Sequence, residues 1–221
     1  GEGLGAGGGG AQGLGVRRLA TRLIAKVNAE GGADYTHCWA TLAPYADGVE
    51  LALRCPNRSD RLSIYPVSQL DNLLDTLRRQ WPDKALFVKL PPFANGQEKQ
   101  NRLELVERAI HFDLTGVTIP GNWTIPEARL SRGQGSLSGR LTFANNLETV
   151  RAIAAVTKGR IAIKASGGVH IGADAFELFA AGATMIDILT AFVYRGWNTA
   201  AKIKVDLLAW MDARGIARVA N

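Results

Sequence analysis

Residues 161–190 read IAIKASGGVHIGADAFELFAAGATMIDILT. The apolar run IAIKA ends in Ser166-Gly167-Gly168, a helix start follows at Gly172-Ala173-Asp174, and Ala181-Gly182-Ala183 leads into a second run, MIDIL, closed by Thr190. Two strand-like runs joined by a helical connection of this length form a βαβ unit, because parallel strands need a crossover and antiparallel ones do not. The glycines directly after the first strand have two readings. They let backbone N–H groups close on a phosphate, helped by the dipole of the following helix, or they simply make a tight turn.

Outward from this stretch the same alternation repeats. Strands are predicted near 48–54, 85–90, 115–119, 161–165 and 184–189, with helices over 66–80, 97–112, 145–157, 172–181 and 198–214. Apolar spacing at Val16, Leu19 and Leu23 predicts an earlier helix, LIAKVN a short strand ending near Asn28, and the segment from Asp34 a further helix broken at Asp47-Gly48. The class is α/β with a parallel sheet, and the pattern alone leaves a doubly wound sheet and a TIM barrel open. A complete eight-unit barrel takes about 250 residues, so five or six units would make an incomplete one. Residues 120–144 are predicted as a long polar loop holding a second glycine cluster, Gly135-Ser136-Leu137-Ser138-Gly139.

Composition bounds the rest. The chain has 221 residues, 47% hydrophobic and 21% charged, which suits a folded globular protein. Residues 1–15 contain nine glycines and are expected to be flexible; residues 16–221 are expected to form one domain. Lys and Arg total 26 against 20 Asp and Glu, a net charge of +6, but the cations are scattered, which argues against nucleic-acid binding. Cys38 and Cys55 stand far apart, without zinc spacing, so no disulfide framework or structural metal is expected and a reducing compartment is. No apolar run approaches the ~18 to 20 residues of a spanning helix, and no signal-like segment opens the chain.

Candidate site residues fall at strand ends. Cys55 closes the run VELALR, where a thiol beside Arg54 or Arg58 can act as a base but can equally be buried filler. Lys89 closes LFVKL, a lone cation after apolar positions, and is expected to face a site at the rim. Of the histidines His37, His111 and His170, only His170 is placed to reach a ligand. Four of the five tryptophans are expected in packing, and Trp123 is left open.

Together these residues resemble the dihydroorotate dehydrogenase family, FMN-dependent TIM-barrel oxidoreductases of pyrimidine biosynthesis. APYADGVELALRCPN (43–57), RLSIYPVSQLDNLL (61–74), FVKLPP (87–92), GSLSGRL (135–141) and the run 161–196 are similar to its segments, in order, with the quinone-linked class nearest. The resemblance implies that Cys55 takes the catalytic-base position. It implies FMN contacts at Asn28, Lys89, Ser138, Gly139, Gly167, Gly168 and Thr190, and substrate contacts at Asn57 and Asn122. Against the family pattern, Ala52 replaces an asparagine, Arg54 and Arg58 replace small or hydroxyl residues, Leu189 replaces an aromatic, and Pro91-Pro92-Phe93 replaces a polar ending. No counterpart of the family's first two βα units or of its membrane-docking helix pair is expected in these residues. Three expectations follow: an FMN-dependent oxidoreductase acting on dihydroorotate or a relative, a catalytically degenerate homologue serving as a structural or assembly subunit, or a binder of a phosphate-bearing ligand that keeps the Ser166-Gly167-Gly168 site without redox chemistry. A second copy or a partner chain would cover the open barrel edge, and the compartment would be cytoplasmic or mitochondrial.

Overall fold

The computed structural model describes residues 21–28, 32–53, 67–90, 96–131 and 133–219. Six strands, β1 (Ile24–Val27), β2 (Gly48–Ala52), β3 (Ala85–Lys89), β4 (Gly116–Ile119), β7 (Ala162–Ser166) and β8 (Met185–Asp187), form one parallel sheet in the order β1-β2-β3-β4-β7-β8. The intervening helices are α1 (Gly32–Leu42), α2 (Val67–Gln80), α3 (Gly96–His111), α4 (Phe143–Thr157) and α5 (Gly172–Ala180), with α6 (Thr190–Arg195) and α7 (Thr199–Asp212) after β8.

The strand order never reverses. Right-handed crossovers therefore place the helices on one face, which curls the sheet into a barrel instead of a doubly wound layer. The molecule is an incomplete TIM barrel of six βα units, and β1 and β8 are the edges of the described sheet.

Each strand alternates with period two. Val27, Val49, Leu51, Leu86, Val88, Val117, Ile119, Ile163 and Ala165 face the helices and join the core around Trp39, Leu70, Leu74, Ile153 and Leu178. A continuous apolar run, the usual signature of a parallel strand buried on both faces, occurs in β3 (Ala85–Val88), whereas β1, β2, β4 and β7 place a polar or charged residue on the concave side. The positions between, including Lys26, Glu50, Lys89, Thr118, Lys164, Ser166 and Asp187, face the concave side.

Three features depart from the sequence expectations. The polar loop of 120–144 contains an antiparallel hairpin, β5 (Asn122–Pro126) and β6 (Gln134–Ser138), so GSLSG is a strand ending, not a free loop. Alternation of Trp123, Ile125 and Leu137 drives that pairing and outweighs the Gly and Ser content. Second, the short helix α6 fills the connection after β8. Third, Trp197 is 88% exposed, touching Phe192 edge-on with ring centres 5.3 Å apart, where packing was expected. Trp39, at 1% exposure, and Trp81 do pack, edge to face. The expected flexible segment 1–15 and the helix from Val16 lie outside the described residues.

Candidate functional site

Strand C-termini converge on one rim, and three elements meet there. β4 exits through Pro120 and Gly121 into the hairpin, β6 ends at Ser138, and β7 ends at Ser166. Thr142, fully buried, holds the first two together: its hydroxyl lies 2.8 Å from the Gly139 carbonyl and 3.1 Å from that of Gly121. Asn146, also buried, donates its amide to the Thr142 hydroxyl at 3.2 Å. Gly121 in turn lies against Gly167. A Cβ on Gly167, whose φ is +100°, would come within 2.5 Å of the Gly121 Cα and would overlap the Asn146 amide. Gly168 stands equally close to Phe143 at the start of α4. The glycine pair is thus demanded first by close approach of three chain segments.

Of the residues that the resemblance assigns to FMN, Ser138, Gly139 and Thr190 lie together. Gly139, with φ +85°, packs on the Thr190 methyl, and the Thr190 hydroxyl lies 3.3 Å from the Ser138 hydroxyl, so β6 and the start of α6 share one corner. Arg140 adds a cation that the sequence reading missed. It pairs with Asp174 and passes over the Phe143 ring at 5.4 Å. Asp174 is buried and accepts the backbone N–H groups of His170 at 2.9 Å and Ile171 at 3.1 Å, which caps α5. Arg195 donates to the His170 carbonyl at 2.6 Å.

The remaining expected residues are more dispersed. Asn28 is exposed one position beyond β1. Asn122 donates its amide to the Ser136 hydroxyl at 2.6 Å, so it ties the hairpin rather than pointing freely into a site. Cys55 and Asn57 lie outside the described residues, as do Arg54, Arg58 and Pro91-Pro92-Phe93. The Trp123 indole N–H is buried without a hydrogen-bond partner.

Beneath the rim the concave face carries a charge network. Glu50, 4% exposed, pairs with Lys164 and accepts the Thr118 hydroxyl at 2.7 Å. Lys164 also reaches Asp187 at 3.4 Å, and Asp187 accepts the Ser166 hydroxyl at 3.1 Å. Burial pushes the Glu50 carboxyl up, but hydrogen bonds from Lys164 and Thr118, with the charges of Lys164 and Lys89, hold it below its ordinary value. For Lys89, burial and then Lys26 push the ammonium down, and Glu50 and Asp187 only partly oppose them. Among the described residues Lys89 is half-buried and makes no hydrogen bond or ion pair.

The Glu50 shift predicts acid sensitivity. The unfolded chain holds a proton at this group up to about the ordinary 4.5, the folded chain only at lower pH. The network's stabilisation is therefore complete above that value and is lost as the pH falls through the depressed folded value. Urea unfolding across the acid range should show stability falling with pH, with a flatter dependence in Glu50→Gln; identical slopes would contradict the assignment.

A cleft on the opposite rim, lined by Arg78, Lys84, Lys158, Arg160 and Thr184, is not a comparable site. Arg78 donates to the carbonyls of Pro82, Lys84 and Asp113, Lys84 to those of Ala43 and Ala46, and Arg160 to those of Val156 and Thr157. Arg78, Lys84 and Arg160 are thus spent on backbone carbonyls at and beyond the helix C-termini, where the helix dipole favours cations.

Fold and rim together define an incomplete (β/α)8 barrel whose last two strands, β7 and β8, end beside the glycine turn and the Ser138–Thr190 corner. The family model of dihydroorotate dehydrogenase matches residues 8–211. The chain belongs to the dihydroorotate dehydrogenase family. It is 29% identical over 205 residues to the mitochondrial dihydroorotate dehydrogenase (quinone) of Mus musculus, covering 89% of this chain and 51% of that protein. It is 30% identical to the enzyme of that name from Anaeromyxobacter, with 88% and 55% covered, and 27% to the mitochondrial one of Arabidopsis thaliana, with 88% and 44% covered. The chain thus spans about half the length of these relatives. Among solved structures, ligand-free DHODH from Eimeria tenella superposes with a TM-score of 0.74 at 23% identity, covering 86% of this chain and 59% of that one.

Proposed function

We propose that the chain is an FMN-binding oxidoreductase of the dihydroorotate dehydrogenase type. One observation carries this: Ser138, Gly139 and Thr190 meet at the corner beside the Gly167-Gly168 turn. Hydroxyls, a nearby guanidinium and two helix starts suit a phosphate, so the residues present fit the phosphate end of FMN. Ser138, Gly139, Gly167, Gly168 and Thr190 would hold that phosphate, with Asn28 a further contact. The free ammonium of Lys89 would meet negative charge on the ring system.

Bound FMN would accept a hydride from C6 of dihydroorotate. Cys55 would take the proton from C5, giving orotate, while Asn57 and Asn122 would orient the substrate amides. In the reaction test, protein loaded with FMN is mixed anaerobically with dihydroorotate. Bleaching of the visible flavin band is expected, and Cys55→Ser should move the rate's dependence on pH to the alkaline side, because a hydroxyl is the weaker acid. A rate unaffected by that substitution would remove Cys55 from the mechanism.

A second reading is favoured by the substrate end. Ala52, 3% exposed, offers no amide beside Lys89, and Asn122 is engaged by Ser136. Each lost substrate hydrogen bond costs about 1–3 kcal/mol, enough in sum to abolish turnover. The chain would then be a non-catalytic homologue acting as a subunit of a larger assembly, and flavin binding without bleaching would select this reading. In either case a second copy or a partner chain would cover the β1 or β8 edge, and the working compartment would be cytoplasmic or mitochondrial.

A further inference from the structure

We infer that Lys164 is a positioning residue: by taking both carboxylates of the concave face, Glu50 and Asp187, it keeps Lys89 the unpaired ammonium of the rim. What that charge meets rests on the flavin reading above; the charge arrangement itself does not.

The pairing runs against proximity along the sheet. Glu50 stands on β2, directly beside β3, with Phe87 opposite it and Lys89 two residues further along the same strand. Lys164 stands on β7, three strands from β2. At about 4.8 Å per strand that is roughly 14 Å along a flat sheet. Glu50 nevertheless pairs with Lys164, because the curl of the sheet brings β2 and β7 to face each other across the concave side. Lys164 reaches back over the Phe87 ring, its ammonium 5.7 Å from the ring centre. Thr118 on β4 donates to the same carboxylate and so fixes it towards β7.

Lys89 and Lys164 occupy one level of the barrel, since each is opposite Thr118 in register. Among the described residues the charged groups facing them are Lys26 from β1, Glu50 from β2 and Asp187 from β8, with Thr118 and Ser166 as neutral partners. Three ammonium groups against two carboxylates leave one surplus. Lys26 is exposed and Lys164 is committed, so the half-buried surplus is Lys89. Without Lys164, Lys89 becomes the nearest buried cation to Glu50. Its ammonium would then be drawn down onto that carboxylate and away from an anionic ligand at the rim.

The test uses the whole protein without flavin, so its outcome is independent of whether flavin binds. Lysines are acetylated with a small activated ester across a pH series, and Lys89 is compared by peptide mass spectrometry with the exposed Lys202. In Lys164→Met, Lys89 labelling near neutral pH should fall about tenfold relative to Lys202, its midpoint moving up by about one unit as it pairs with Glu50. Lys164→Arg should keep the wild-type profile, and adding Glu50→Gln to Lys164→Met should restore labelling, since the carboxylate that captures Lys89 is gone. A merely structural Lys164 would give unchanged or faster Lys89 labelling in Lys164→Met, which would overturn the inference. If Lys164→Met does not fold by circular dichroism, Glu50→Gln alone decides. Lys164, freed from Glu50, then repels Lys89 and its midpoint should move to lower pH; an unchanged midpoint would overturn the inference.

Discussion

Gly167→Ala should lower stability by about 3 kcal/mol, seen as a fall of roughly 10 °C in Tm. Two costs add. At φ +100° a side chain is strained, by ~1–2 kcal/mol for an L-residue in left-handed backbone. The new Cβ would also meet Gly121 and Asn146, and neither can retreat cheaply: one is backbone, the other holds Thr142 at the base of the hairpin. Gly159→Ala separates the two costs. Gly159 has φ +74° and open space around it, so only the conformational cost applies, about 1 kcal/mol. Equal losses at the two positions would show that the approach of β4 to β7 is looser than described. Because the same contact sets the β7 exit beside the phosphate corner, Gly167→Ala should also weaken any anion bound there.

Breaking the Glu50–Lys164 pair from one side should cost about 3–5 kcal/mol, whichever partner is removed. Glu50→Leu leaves Lys164, 13% exposed, with only Asp187 at 3.4 Å; Lys164→Met leaves the Glu50 carboxylate with the Thr118 hydroxyl and a Lys89 that must be drawn from the rim to reach it, so the lower end of that range is expected there. The double substitution Glu50→Leu/Lys164→Met removes both charges and puts apolar side chains of similar size on the concave face. It should return to within about 1 kcal/mol of the parent, since the desolvation of two ions disappears with their attraction. Denaturant unfolding of the four proteins gives the coupling energy directly. Additive losses would mean that the two side chains do not depend on one another.

The sequence made the fold class legible because local signals agree with the tertiary result. Val49 and Leu51, Val117 and Ile119, and Ile163 and Ala165 alternate with polar residues, Ala85–Val88 forms a short apolar run, and Gly and Pro punctuate the ends. Choosing the barrel over a doubly wound sheet needed the strand order, which is a long-range property. The hairpin was hidden because Gly135, Ser136 and Ser138 read as loop residues, although Trp123, Ile125 and Leu137 carry a strand's alternation. α6 was missed as too short to show a helical period.

At the candidate site, the Gly167-Gly168 turn could be read from glycines following a strand, with its phosphate role left as a proposal, and Lys89 from its isolation at a strand end. Glu50, Lys164 and Asp187 could not. Singly, each resembles the solvent-facing position of a half-buried strand, and only the curl of the sheet makes them neighbours across several strands. Period-two alternation in strands of a parallel sheet was the available signal, since such strands usually read as continuously apolar.

The most direct test of the account is titration of the purified protein with FMN, followed by visible absorbance and flavin fluorescence. Saturable binding is predicted, weakened by Thr190→Val, which removes the hydroxyl facing Ser138 while keeping the side chain's shape. Failure of the folded protein to bind FMN even in large excess would contradict the claim that this half-barrel forms a flavin phosphate site.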